Sequence, residues 1–405
     1  MGKYNGFIMY VIHFHYQSCH LSKFIFDIFA SMKNNYPDKW SAKLNQSYKR
    51  ILFDVSDKID FASNDYLGFA KNNKLKEIIL KNFDTFVFQG STGSRLMSGN
   101  KKWIEKIEFT IAQHHHTENA VIYPSAYQAN VGLFSCIADR KDVFLIDEHI
   151  HASVYDGIRQ GFAHHFKFKH NDFEHLKTLI DRHYQRFETI YVVIEGLYSM
   201  EGDIPDVTNL LGVIDNPKVF LIVDETHSFG VLGQDKLGLF NSKELATKCV
   251  ARIIGYGKAL GFSGAAIVGS NVLKQYLINF SRSFIYSTAL PLYHYQIIYY
   301  LYQELINNSQ KEHQQLQDNI QTYLQITKDD GRFSHNNSPI QYFSLSNLNY
   351  NQLQNQINHQ SFFAKVIVPP TVPKGLERIR ISLHSFNTTE EIYHLVNVLK
   401  NLNKE

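Results

Sequence analysis

VFLIVDETH, residues 219–227, is a run of five apolar side chains followed at once by Asp, Glu, Thr and His. A strand with one wet face alternates apolar and polar residues. An unbroken apolar run suits a strand covered on both faces, as in a parallel sheet clad by helices. The same pattern recurs on either side of it: AVIYP (120–124), VFLID (143–147), IYVVIE (190–195), ARII (251–254) and AAIVGS (265–270). Amphipathic helix patterns, such as 105–115 and 173–186, separate most of these runs. Strand–helix alternation of this kind predicts an α/β fold with a mainly parallel sheet. Beyond Pro291 the pattern changes. A helical stretch at 293–307 precedes QYFSL, AKVIV and RIRISL, and a final helix is expected at 389–401. That tail predicts a smaller α+β domain. The expected organisation is an N-terminal extension at 1–31, an N-terminal segment at 32–88, a large domain at 89–290 and a small domain at 291–405. The Asn/Gln-rich patch at 347–360 reads as an exposed helix or loop.

Composition narrows the function classes. Lys plus Arg number 41 against 38 Asp plus Glu, a net charge of +3, too weak a bias to point to nucleic acid or an anionic membrane. The 30 Phe and 24 Tyr suit core filling in a chain of 405 residues. Cys19, Cys136 and Cys249 are odd in number and far apart, which fits reduced thiols in a cytoplasmic protein and neither a disulfide framework nor a metal site. The aromatic stretch at 7–30 is interrupted by His13, His15, Gln17, His20, Lys23 and Asp27, so it reads as an upstream extension or start-site artefact, not a membrane span or secretory signal. Consecutive helix positions do not converge on one metal, so His114, His115 and His116 read as surface residues. His164, His165 and His170 have no cysteine or carboxylate set in metal spacing and read as structural.

In a parallel α/β sheet, ligands bind beyond the carboxyl ends of the strands. The residues that follow the apolar runs are Ser125-Ala126-Tyr127, His149 to His151, Glu195 to Asp203, Asp224 to His227, and Gly255 to Lys258. Lys258 sits in GYGKALGFSGAA, where a buried amine with a lowered pKa could form a Schiff base with an aldehyde; a lysine snorkelling out of a turn is the alternative. Flanking glycines would let a bulky cofactor approach the backbone. Asp224 could pair with a protonated pyridine nitrogen, cap a helix or bind a metal. His227 could bond the same ligand or fill the loop. His151 could stack on an aromatic ring or be an ordinary loop histidine; His149 competes for that role but lacks the small pair Ala152-Ser153. Ser125-Ala126-Tyr127 opens a helix after a strand, so it could hold a phosphate or supply a plain N-cap serine. GSTGSRLMSGN (90–100) could be a glycine-rich loop near the site.

Taken together, FASNDYLGFA, GSTGSRLMSGN, SAYQANVG, HASVYDG, EGLYSMEGD, VDETHSFGVLG, GYGKALGFSGAA, FIYSTALP, PPTVPKG and RIRISLHSF resemble the α-oxoamine synthases, fold-type I enzymes dependent on pyridoxal 5'-phosphate. The resemblance runs from about residue 60 to the C-terminus. It implies a large domain built on a seven-stranded, mainly parallel sheet and a homodimer with a shared active site. GKALG followed by SGAA, with GSRLMSGN and PPTVPKG, looks most like the biotin-synthesis branch, which condenses L-alanine with a pimeloyl thioester of coenzyme A or of an acyl carrier protein. The alternative that the resemblance leaves open is another enzyme of the family, of the glycine acetyltransferase or serine palmitoyltransferase type, using glycine or serine with a different acyl thioester of coenzyme A. The resemblance also implies roles. Lys258 would hold the cofactor covalently, Asp224 would pair with its ring nitrogen, and His227 and Ser199 would contact the ring region. His151 would stack on its face, and the Ala126-Tyr127 backbone would hold its phosphate. Ser287 and Thr288 would be lent to the phosphate of the neighbouring subunit. Arg380 would grip the amino-acid carboxylate, Thr371 would touch substrate, and Arg50 would read the acyl carboxylate. Three positions depart. Gly255 replaces a phosphate-bonding threonine of many relatives, Val368 stands where some have an arginine near the acyl chain, and Leu292 replaces a second proline.

Overall fold

The run at 219–224 is the central strand of a seven-stranded sheet in the computed structural model, which describes residues 52–71, 73–345 and 350–402. In chain order the strands are β1 (Ile59–Asp60), β2 (Asn119–Tyr123), β3 (Asp142–Asp147), β4 (His164–Phe168), β5 (Thr189–Glu195), β6 (Val219–Asp224), β7 (Cys249–Gly255), β8 (Ala265–Gly269), β9 (Ile340–Ser344), β10 (Phe362–Phe363), β11 (Lys365–Ile367) and β12 (Arg378–Ser382). The large sheet has the order β2-β8-β7-β6-β5-β3-β4. β4, β3, β5, β6 and β7 pair in parallel, and β8 is antiparallel to both β7 and β2, so β8 alone runs against the rest.

The unbroken apolar runs are explained by two cores, one on each face. Phe144, Ile146, Val193, Ile222 and Ile253 pack on one side with Leu133, Val154 and Leu277. Val143, Leu145, Val192, Ile194, Leu221 and Val223 pack on the other with Leu176, Ile180 and Leu210. Alternate residues of one run therefore serve opposite cores, as strand geometry requires.

Each predicted apolar run is a strand here, to within two residues at its ends. The edge strand β4, HHFKF, carried no such signal. Its outer residues face water, so the run is polar and shows no apolar signature. Two readings are corrected. His115 is fully buried, not a surface residue, with Nδ1 2.8 Å from Asn241 Oδ1 and Nε2 3.0 Å from the Tyr302 hydroxyl. The Asn/Gln-rich patch is a helix at Tyr350–Asn358 with Leu353, Gln354 and Ile357 buried, not an exposed one.

The C-terminal region holds an antiparallel sheet of order β11-β12-β9. The segment 59–71 joins it: β1 pairs in parallel with β10, Ser382 N–H donates to Phe61 O at 2.8 Å, and Ser385 N–H donates to Tyr66 O at 2.8 Å. The same segment presses on the Lys258 loop. Gly261 has φ +62°, and a Cβ there would lie 2.3 Å from the Ala70 nitrogen, so glycine is required by both conformation and space. FASNDYLGFA is thereby held between β12 and the lysine loop.

Candidate active site

At the carboxyl edge of the large sheet lies a cavity of about 330 Å³, lined by Ser125, Ala126, Tyr127, Asn130, His151, Glu195, Asp224, Thr226, His227, Lys258 and Ser263 among others. Six of the sequence-nominated residues meet there: Ala126, Tyr127, His151, Asp224, His227 and Lys258. They come from the ends of different strands, as the parallel topology allows.

Asp224 closes β6 and is buried. Its Oδ2 accepts from Asn130 Nδ2 at 2.7 Å and its Oδ1 from the Thr226 N–H at 3.0 Å. Asn130 also donates to Ser153 Oγ at 2.9 Å, and Ser153 Oγ lies 2.7 Å from His151 Nδ1. One polar chain therefore fixes the carboxylate and the imidazole together. His151 is the N-cap of the helix Ala152–Gln160. His149 does not line the cavity; it stacks on His170 with ring centroids 4.2 Å apart.

Lys258 lies in the β7–β8 connection. Burial and the nearby Arg380 push its amine below the usual lysine range, against the pull of Asp224 and Glu195. A neutral amine is the nucleophilic form. Gly257 lines the cavity, and a Cβ there would make only an ordinary contact, with the Phe262 carbonyl oxygen at 3.7 Å. Gly255 is different: a Cβ there would strike the Thr226 side chain.

His227 is buried. Burial, then Lys258 and Arg380, holds it well below the usual histidine range, so it is neutral. Its Nδ1 is 2.8 Å from the Tyr66 hydroxyl, which donates to Asn64 Oδ1 at 3.1 Å. Asn64 Oδ1 in turn accepts from Arg380 Nη2 at 2.8 Å. Arg380, in β12, also donates from Nε to the Ser199 carbonyl at 2.7 Å and from Nη1 to Ser382 Oγ at 2.8 Å. Arg380 and Ser199 are not among the residues that line the cavity, but Arg380 is tied to His227 through Asn64 and Tyr66 and to Ser199 through its carbonyl.

Ser125 Oγ accepts from the Gln128 N–H at 3.2 Å, an N-cap for the nine-residue helix Ala126–Phe134. That cap leaves the first-turn N–H groups of Ala126 and Tyr127 at the cavity, with the positive end of the helix dipole behind them.

Other nominated residues are not brought to this cavity. Ser287 and Thr288 do not line it, and Thr288 is exposed. Thr371 is exposed in the loop between β11 and β12. Arg50 and the stretch 7–30 lie outside the described residues. Conversely, Asn64, Tyr66, Asn130, Glu195, Thr226 and Ser263 were given no role from sequence. Glu195 had a usable signal, since it ends a buried run; burial and then repulsion from Asp224 push its carboxyl well above the usual range, and its Oε1 has no partner among the described residues.

A family model described as aminotransferase class I and II matches residues 56–399. The chain belongs to that family. A protein of Glaesserella parasuis serovar 5, provisionally named 8-amino-7-oxononanoate synthase, is 33% identical over 345 residues, which cover 84% of this chain and 90% of the relative. A Pasteurella multocida protein of the same provisional name is 32% identical over 352 residues, 85% of this chain and 90% of its own. The solved 8-amino-7-oxononanoate synthase of Francisella tularensis superposes with TM-score 0.73 at 28% identity, covering 86% of this chain and 98% of that one. Serine palmitoyltransferase of Sphingomonas wittichii superposes with TM-score 0.78 at 24% identity over 86% of this chain and 87% of its own, a likeness of fold. This member of the class I and II aminotransferase family is an α-oxoamine synthase, a fold-type I enzyme dependent on pyridoxal 5'-phosphate. The residues of the cavity fit that cofactor. An amine of lowered pKa suits its aldehyde, a buried carboxylate held by two donors suits a pyridinium, and a helix N-terminus suits a phosphate. Among the described residues no helix is long and apolar enough to cross a membrane.

Proposed function

We propose that this protein condenses L-alanine with a pimeloyl thioester, releasing carbon dioxide and a free thiol and giving 8-amino-7-oxononanoate, a step of biotin synthesis. The meeting of the Lys258 amine, the Asp224 carboxylate and the N-terminus of helix Ala126–Phe134 in one cavity carries this reading. The names of the relatives at about one-third identity support the choice of substrates.

Bound pyridoxal 5'-phosphate supplies an electron sink for deprotonation at the α-carbon of the amino acid. In our reading Lys258 anchors the cofactor and then takes the α-proton on Nζ, the role for which its lowered pKa suits it. Asp224 holds a proton on the ring nitrogen, and Asn130 keeps its carboxylate aimed. His151 would stack on the ring, His227 and Ser199 would contact the ring region, and the backbone of Ala126 and Tyr127 would bind the phosphate. Arg380 binds the amino-acid carboxylate, Thr371 touches the substrate, and Arg50 reads the far carboxylate of the acyl chain. We further infer a cytoplasmic homodimer in which Ser287 and Thr288 serve the neighbouring subunit.

Replacing Lys258 by Ala tests the assignment. The variant is expected to lose both the visible absorbance of the lysine-linked cofactor and all turnover of alanine with pimeloyl thioester. A variant that turned over at the wild-type rate would remove Lys258 from the chemistry.

A further inference from the structure

Thr226 is only 8% exposed, yet its Oγ1 has no hydrogen-bond partner among the described residues. It stands two residues after Asp224, and its N–H is fixed on that carboxylate at 3.0 Å. Thr226 lines the cavity. On its other flank is the end of β7, where a Cβ built on Gly255 would lie 2.5 Å from Thr226 Cγ2 and 2.7 Å from Oγ1. No real side chain fits at that separation, so Thr226 occupies the space that any larger residue at 255 would need. Thr226 therefore stands between the backbone of Gly255 and the cavity. Buried hydroxyls are bonded as a rule, and the group that can still satisfy this one is the occupant of the cavity.

We propose that Thr226 Oγ1 is a cofactor-binding group that donates to an anionic oxygen of bound pyridoxal 5'-phosphate, and that Gly255 is glycine in order to admit it. This rests on the cofactor assignment above. It also gives the three glycines of GYGKALG separate tasks. Gly257 lines the cavity, Gly261 lets the loop pack on 69–70, and Gly255 makes room for a threonine.

The test is cofactor retention by purified holoenzyme, followed by visible absorbance during dilution into cofactor-free buffer, with circular dichroism confirming the fold of each variant. Thr226→Val keeps the shape and removes the hydroxyl; it should weaken retention about tenfold, the effect of one hydrogen bond to a charged group. Thr226→Ser keeps the hydroxyl and should stay within about twofold of the wild type. Gly255→Ala should weaken retention in the wild-type background and be tolerated in the Thr226→Ala background, because the two side chains compete for one space. Repeating the measurement with pyridoxal tells which oxygen is bound: a Thr226→Val defect confined to the phosphorylated form places the hydroxyl on the phosphate, and a defect in both forms places it on the ring oxygen. Folded Thr226→Val protein that retains cofactor like the wild type would overturn the proposal. A folded wild-type protein that takes up no cofactor at all would overturn the cofactor assignment itself, a failure visible before any variant is made.

Discussion

Arg252 shows what a single residue can conceal. It lies inside the apolar run ARII, yet its guanidinium is 1% exposed. Nη1 donates to the Phe240 carbonyl at 3.0 Å and to Asn241 Oδ1 at 2.9 Å, Nη2 donates to the His115 carbonyl, and Glu225 Oε1 lies 3.8 Å away. Glu225 is in turn held by the N–H groups of Leu239 and Phe240 and by the Ser228 hydroxyl. Truncating one partner of such a buried network leaves the others unsatisfied, so Arg252→Ala should destabilise the fold by about 3–5 kcal/mol, read by urea denaturation. A loss below about 1 kcal/mol would mean that the network relaxes without cost. None of this was legible in sequence, because the partners of Arg252 lie 11 to 137 positions away. The buried state of His115 was hidden for the same reason. Lys258, Asp224 and His227 were legible because each follows a buried run, where the fold places ligands.

At the scale of elements, the ends of β3, β4 and β5 are clamped by His170. Its Nδ1 is 2.9 Å from Asp147 Oδ1 and its Nε2 is 3.0 Å from Asp203 Oδ2. Burial works against the imidazolium, but the two carboxylates outweigh it and raise His170 from 6.5 to about 10. Asp203 ends the EGLYSMEGD loop that carries Ser199, so the clamp holds the loop whose carbonyl receives Arg380. The folded pKa lies above the unfolded one, so the folded state binds the extra proton. The stabilisation is complete below about pH 6.5 and is lost as the pH rises through about 10. His170→Gln should therefore lower Tm at neutral pH, and its deficit against the wild type should shrink as the pH approaches 10. A deficit of constant size across that range would show that the clamp is not ionic. The sequence marked this loop through its motif, but it gave no sign of β4, since a polar edge strand leaves no apolar run to find.

At the scale of the whole molecule, the site depends on bringing Asn64, Asp224, Lys258 and Arg380 together from distant parts of the chain. The sheet order accounts for Asp224 and Lys258, which end or follow neighbouring strands. Segment 59–71 accounts for the rest, because it pairs with β10, bonds β12 and packs on the lysine loop. Its motif FASNDYLGFA could be quoted from the sequence, but the bridge Arg380–Asn64–Tyr66–His227 could not, since it needs the tertiary register of three separate segments. That bridge gives a global prediction. Asn64→Ala should raise KM for the amino acid at least about tenfold with a smaller change in kcat, because it frees the guanidinium that we propose binds the amino-acid carboxylate. An unchanged KM would detach Arg380 from substrate binding.

The most direct test of the central claim is visible absorbance of the purified protein during separate additions of L-alanine, glycine and L-serine, each followed by a pimeloyl thioester with thiol release recorded. The proposed function predicts a cofactor band that responds most strongly to L-alanine, and stoichiometric thiol release only when the pimeloyl thioester follows it. A band that responds mainly to glycine or serine, with no thiol released from the pimeloyl thioester, would contradict it.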